Sequence, residues 1–343
     1  MRPSDKAVAA TPVIFGLRDA YLAKAEPSDN PIAMQAIRDH FQRVNDTIRS
    51  VEHMRVEAEP RHLDALLKFA ARAYRRPLSQ PEHEDILAYY RSLRDKGGLT
   101  HEEAVRDSIV SVLMSPKFSY RADLLEASAK SRRASAGSSP VRPLSGYALA
   151  SRLSYFLWSS MPDEELLARA AAGDLQKPGV LAAQARRMLK DERASGLAID
   201  FAGNWLDFRR FEEHNAVDRQ RFPSFTNELR EAMFQEPVRF IEDVTRNGRS
   251  ILDLLYGNDT FVNPVLARHY GMPEVVGGAD HWVRIDDARP YGRGGLLTMS
   301  VFLTQNAPGL RTSPVKRGYW VARRVLGETI PPPPPQRART APR

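Results

Sequence analysis

Apolar residues recur every three or four positions in one segment after another of this 343-residue chain, and most runs are bracketed by a helix-start and a helix-stop signal. Leu63, Leu66, Leu67, Phe69, Ala70 and Tyr74 form the first such run, which stops at Arg75-Arg76-Pro77. Ser79 and Glu82 then make a capping box for a helix to about Leu93, and Thr100 with Glu103 repeats the device ahead of Ala104, Ile109, Val110 and Leu113. Ser145 can cap a helix carrying Tyr147, Leu149, Leu153, Tyr155, Phe156 and Trp158, and Pro162-Asp-Glu-Glu opens the next. Residues 180–189 and 194–208 read as two more helices, and 224–246 as a long one with Phe225, Leu229, Met233, Phe240, Ile241 and Val244 inward. Pro237 inside that helix deletes a backbone bond and clashes with the turn before it, which predicts a kink or a break. Asn263-Pro264 and Gly271 bracket a short helix, and Val283 to Ile285 is the only strand of note. The predicted class is therefore all-α: a multi-helix bundle arrangement in two helical units, with at most one short extended segment.

The boundaries follow from composition. Residues 1–60 form a helical segment of uncertain membership and 61–126 a three-helix unit. Residues 127–144 are small, polar and basic without periodicity, the signature of a flexible linker. A larger helical domain fills 145–330, and 331–343 is a polyproline rod with a disordered tail.

The chain has no cysteine, which removes disulfides, thiolate metal sites, thiol nucleophiles and covalent haem attachment. No run reaches the roughly 18 apolar residues of a membrane span, and residues 1–19 lack the continuous apolar core of an export signal. The formal charge of +8 is scattered among acidic neighbours rather than gathered in a block, so nucleic acid is a disfavoured partner and an anionic small molecule or polymer an open one.

Two constellations could carry function. In Arg311-Thr-Ser-Pro-Val-Lys-Arg317, Ser313 caps a helix with Pro314 at its first position, while Arg311, Lys316 and Arg317 crowd the end that already carries partial positive charge. An internal carboxylate or an external anion would relieve that crowding. Around the short helix, Asn263 is a cap, and His269 reads either as a C-terminal histidine favoured by the dipole or as a general base or metal ligand oriented by Asp259 or Asp253. No histidine pair has metal-ligand spacing. Glu228, Glu231, Glu236 and Glu242 read as a solvated helix face, and Tyr155, Phe156 and Trp158 as core rather than as a platform for a sugar or cofactor ring.

FAARAYRRPLS (69–79), VLMSPKFSYR (112–121), ASRLSYFLWSSMPDEELL (150–167), FAGNWL (201–206), TFVNPVLARHYGMP (260–273), RGGLLT (293–298) and RTSPVKRGYWV (311–321) together resemble the planctomycete-type cytochrome c-associated proteins with domains of unknown function 1595, 1592 and 1588. The resemblance implies an extracytoplasmic assembly with a cytochrome c module or similar protein as partner. Such proteins carry a separate haem-attachment segment, from which this cysteine-free chain departs, so no cofactor is expected in it and it reads as a fragment or a shortened member. The expected function is a non-catalytic binding or scaffold module with an anion-binding loop at Arg311, Ser313, Lys316 and Arg317. A hydrolase acting on a polymer through His269 with Asp259 or a glutamate in a cleft is the alternative, and electron transfer with a non-covalent haem on His269 a weaker one.

Overall fold

A computed structural model describes residues 7–28, 30–121, 144–213 and 216–331. The predicted linker lies almost wholly outside these residues, as does the proline rod beyond Pro331. The chain divides into two compact units, residues 1–122 and 123–343. The described residues are mostly α-helical with two three-residue strands.

In the first unit, helix α1 (Thr11–Ala25) packs on α2 (Pro31–Ala73), a 43-residue helix that begins on the Asn30 cap and runs through Pro60. Thr11 Oγ1 donates to Asn45 Oδ1 at 2.9 Å, tying α1 to the N-terminal half of α2. Helices α3 (Gln80–Asp95) and α4 (His101–Met114) pack against the C-terminal half of α2, followed by the single turn α5 (Pro116–Ser119). Leu66, Ala70, Ala73, Tyr90, Ala104 and Val112 are the buried apolar residues where they meet. The Glu82 carboxylate accepts the Ser79 N–H at 2.8 Å, and the Glu103 carboxylate accepts the Thr100 N–H at 2.9 Å. Arg75 ends α2 in the left-handed region at φ 59°, and its buried guanidinium donates to the carbonyls of Lys117, Phe118 and Tyr120.

The second unit opens with α6 (Gly146–Trp158), α7 (Glu164–Ala171) and α8 (Pro178–Leu189), which enclose Leu157, Trp158, Leu166, Leu175 and Met188. Trp158 Nε1 donates to the Met188 carbonyl at 2.8 Å. The helix predicted over 194–208 is not one α-helix: a 3₁₀ turn, a π-helical segment (Leu197–Ala202) and one α-turn (Gly203–Trp205) follow in series. A second core surrounds α9 (Asn227–Arg246), which Pro237 does not interrupt; the expected break is not found, and Pro237 is buried within the helix. After the turn α10 (Asp253–Tyr256), strand β1 (Thr260–Val262) pairs antiparallel with β2 (Val283–Ile285), Thr260 opposite Ile285, with α11 (Pro264–Tyr270) between them. Helix α12 (Ser300–Gln305) and α13 (Pro314–Trp320), which runs on as a π-helical segment (Val321–Val325), complete the unit. Trp320 locks this end down by stacking on Phe302 at 4.7 Å and donating to the Leu206 carbonyl at 2.8 Å.

Candidate functional site

Leu229, Met233, Glu236, Phe240 and Val244 fall on one stripe of α9, and all are buried. Glu236 has no exposed surface at all. Thr260 Oγ1 donates to one of its oxygens at 2.6 Å and the Tyr270 hydroxyl to the other at 2.5 Å, lengths typical of hydroxyl-to-carboxylate bonds. Tyr270 Oη in turn accepts the Ser300 N–H at 3.0 Å, so α9, β1, α11 and α12 meet at one carboxylate. Burial pushes the Glu236 carboxyl up to about 7, against the two hydroxyl donors and the nearby charge of Arg293. The Arg293 guanidinium stands 4.0 Å over the Tyr270 ring and donates to the Thr298 carbonyl at 2.5 Å. Glu228 and Glu231 do lie on a solvated face, but Glu236 corrects that reading because it occupies a core position.

His269 and Asp259 are not brought together. Asp259 is buried and bound by Arg249 through both oxygens, at 2.6 and 2.7 Å, with Arg284 at 3.2 Å. Burial opposes its ionisation, but the hydrogen bonds from Arg249 and the charges of both arginines override it and hold the carboxyl below its ordinary range. Asp253, the other residue that could orient His269, also pairs with Arg249, at 3.0 Å. No hydrogen bond or ion pair joins His269 to a carboxylate among the described residues. The exposed His269 sits at the end of α11, where burial of part of the ring and the charge of Arg293 keep it below the ordinary histidine range. Asn263 Oδ1 accepts the Leu266 N–H at 2.9 Å at the other end of the same helix. No group of metal-holding side chains occurs among the described residues.

In the basic loop, Ser313 Oγ accepts the Lys316 N–H at 3.3 Å. Arg317 is half-buried and donates to the Leu303 carbonyl at 3.2 Å, while Arg311 and Lys316 are exposed. None of the three pairs with a carboxylate among the described residues, so the internal acid that could have neutralised them is not found there.

A different feature lies on the surface of the second unit. Phe156, Phe201 and Trp205 are 48%, 46% and 38% exposed, although the sequence pattern put Phe156 in the core. Their rings form a ladder: Phe156 meets Phe201 edge to face at 5.0 Å, and Phe201 lies 6.1 Å from Trp205. The π-helical segment that carries Phe201 leads directly into the turn of Trp205, whose indole N–H donates to the Arg324 carbonyl in the second π-helical segment at 2.7 Å. That bond fixes the indole while leaving ring surface in water. Arg209 pairs with Asp200 at 2.6 Å and Arg324 with Asp207 at 3.6 Å, setting charged pairs close in sequence to the ladder residues. A cleft of about 390 Å³ opens at the same turn, lined by Asn204, Asp207, Arg209, Phe211 and Gln305 among others.

The fold and these sites define an all-α protein with a locked acid cluster and an exposed aromatic surface. Three family models match it: Protein of unknown function (DUF1595) over residues 63–123, Protein of unknown function (DUF1592) over 144–272, and Protein of unknown function (DUF1588) over 293–343. The chain thus carries matches to three domains of unknown function associated with planctomycete cytochrome c proteins. No curated protein and no solved structure matches it.

Proposed function

We propose that this chain is a non-catalytic docking module of a cytochrome c-associated assembly, and that the Phe156–Phe201–Trp205 ladder is the face that meets the protein partner. The observation that carries this reading is the exposure of three adjoining aromatic rings, Phe156 on α6, Phe201 on the π-helical segment and Trp205 on the turn after it, the last fixed by its bond to Arg324. Large aromatic side chains supply much of the energy of protein interfaces, and rings already held in place lose little entropy on binding. The names of the matched domains favour a c-type cytochrome as the partner. Arg311 and Lys316 form the electrostatic edge of the proposal, available to an acidic group, whereas Arg317 is engaged by Leu303. The hydrolase reading gains no support from Asp259 or Asp253, both of which are engaged by Arg249.

The test is affinity for a monohaem c-type cytochrome domain, measured by biolayer interferometry at low and moderate salt. Phe201→Ala with Trp205→Ala is expected to weaken binding at least about tenfold, in line with the loss of an aromatic hot spot, with little change in melting temperature. Unchanged affinity in the double variant would remove the ladder from the interface.

A further inference from the structure

We infer that the first unit contains a proton-sensitive lock in which Tyr90, His101 and His62 join three helices and which opens in acid. The three side chains come from α3, α4 and α2 respectively. Tyr90 Oη lies 2.7 Å from His101 Nδ1, and His101 Nε2 lies 2.9 Å from His62 Nδ1. The two imidazoles are nearly parallel, with 16° between their planes. His101 and Tyr90 are buried, while His62 caps the line at the surface.

Counting protons shows what the line tolerates. With both rings neutral, the single N–H of His101 bonds one neighbour while its bare nitrogen accepts from the other. One added proton is also tolerated: His101 can donate from both nitrogens once the Tyr90 hydroxyl turns to accept. A second proton is not, because two N–H groups would then face each other at 2.9 Å between like charges. Burial already holds His101 below the ordinary histidine range, and the charge of His62 adds to this.

The surrounding charges come from all three helices. On α2, Glu59 lies 3.8 Å from His101 and favours the first proton, but it is shared with Arg94 of α3 at 3.5 Å. On α4, Glu102 is paired with Arg55 of α2 at 3.7 Å, and Glu103 is held by Thr100. Asp95 and Arg94 act on Tyr90 from α3. His101 is also the first residue of α4, where the positive end of the helix disfavours a cation. Glu59 can therefore offset one charge but not two, and the lock opens below the ordinary histidine range of about 6.5 while Glu59 is still ionised.

Hydrogen exchange of the full chain, corrected for the intrinsic pH dependence of exchange, reads the lock directly. Amides of residues 104–108, the first of α4 bonded to backbone carbonyls, are expected to lose protection at least tenfold between pH 7.5 and pH 5. His62→Gln keeps a hydrogen-bonding side chain without the second charge, and is expected to retain that protection at pH 5. Protection unchanged in the wild type at pH 5, or lost equally in His62→Gln, overturns the inference. Histidine NMR of the wild-type chain needs no variant: a shared first proton followed by a depressed second step is expected, and two independent steps near the ordinary value contradict it.

Discussion

Tyr270 does two jobs with one oxygen, donating to Glu236 and accepting from Ser300. Tyr270→Phe would leave a buried carboxyl with a single donor and a buried N–H with none. Each orphaned group costs about 1 to 3 kcal/mol, so a loss of about 3 kcal/mol is expected in chemical denaturation; a loss below about 0.5 kcal/mol would show that the cluster contributes little to stability. Glu236 adds a pH signature of definite sign. Its carboxyl is raised from 4.5 to about 7 in the fold, so between those values the folded chain binds the extra proton. Stability is then full below 4.5 and falls as pH rises toward 7, by about 3 kcal/mol over the window. Glu236→Gln is expected to flatten that slope, and an unchanged slope would assign it to another group. The sequence did hold a signal for this residue that the solvated-face reading missed: it sits four, three and four positions along a stripe with Leu229, Met233 and Phe240. Its charge, in a helix rich in glutamate, directs the reading to the solvent side. His62 and His101 were not legible, because 39 residues separate them and no spacing rule connects residues on different helices.

The helices themselves were mostly readable, since periodicity and start and stop signals are local properties of the chain. Readability failed where tertiary contacts set the backbone. β1 was invisible because a three-residue strand gains its identity only from pairing with β2, 23 residues further on. The stretch from Leu197 to Trp205 has helical periodicity, yet its start is dictated by close approach: a side-chain carbon on Gly196 would stand 2.7 Å from the Trp158 carbonyl carbon and oxygen. Gly196→Ala must therefore push the end of α6 away from the π-helical segment. A loss of about 1 to 3 kcal/mol is expected, the usual range for overpacking, together with a shift in the environment of Phe201; wild-type stability would show that the approach is looser than the geometry requires. Phe156 was misplaced for a related reason. It belongs to the apolar run of α6, but Ala150, Ser154, Leu157 and Trp158 fill the buried side and leave it facing water.

The two units are expected to answer pH in opposite directions. The first loses stability as pH falls below about 6.5, because His101 is depressed by burial; the second loses it as pH rises from 4.5 toward 7, because the large rise of the fully buried Glu236 outweighs the opposite effect of the exposed His269. All four tryptophans, Trp158, Trp205, Trp282 and Trp320, lie in the second unit, so their fluorescence isolates its unfolding, while exchange at α4 follows the first. Parallel pH trends from the two probes would contradict the assignment of these groups. The all-α class could be read from the chain alone, but the exposed aromatic ladder could not, since it is built by residues 156, 201 and 205 that meet only in the fold. Hydroxyl-radical footprinting of the chain with and without a monohaem c-type cytochrome domain tests that face most directly. Protection of Phe156, Phe201 and Trp205 on complex formation is the expected result; a stable complex in which these three rings are oxidised as readily as in the free chain would contradict the docking role.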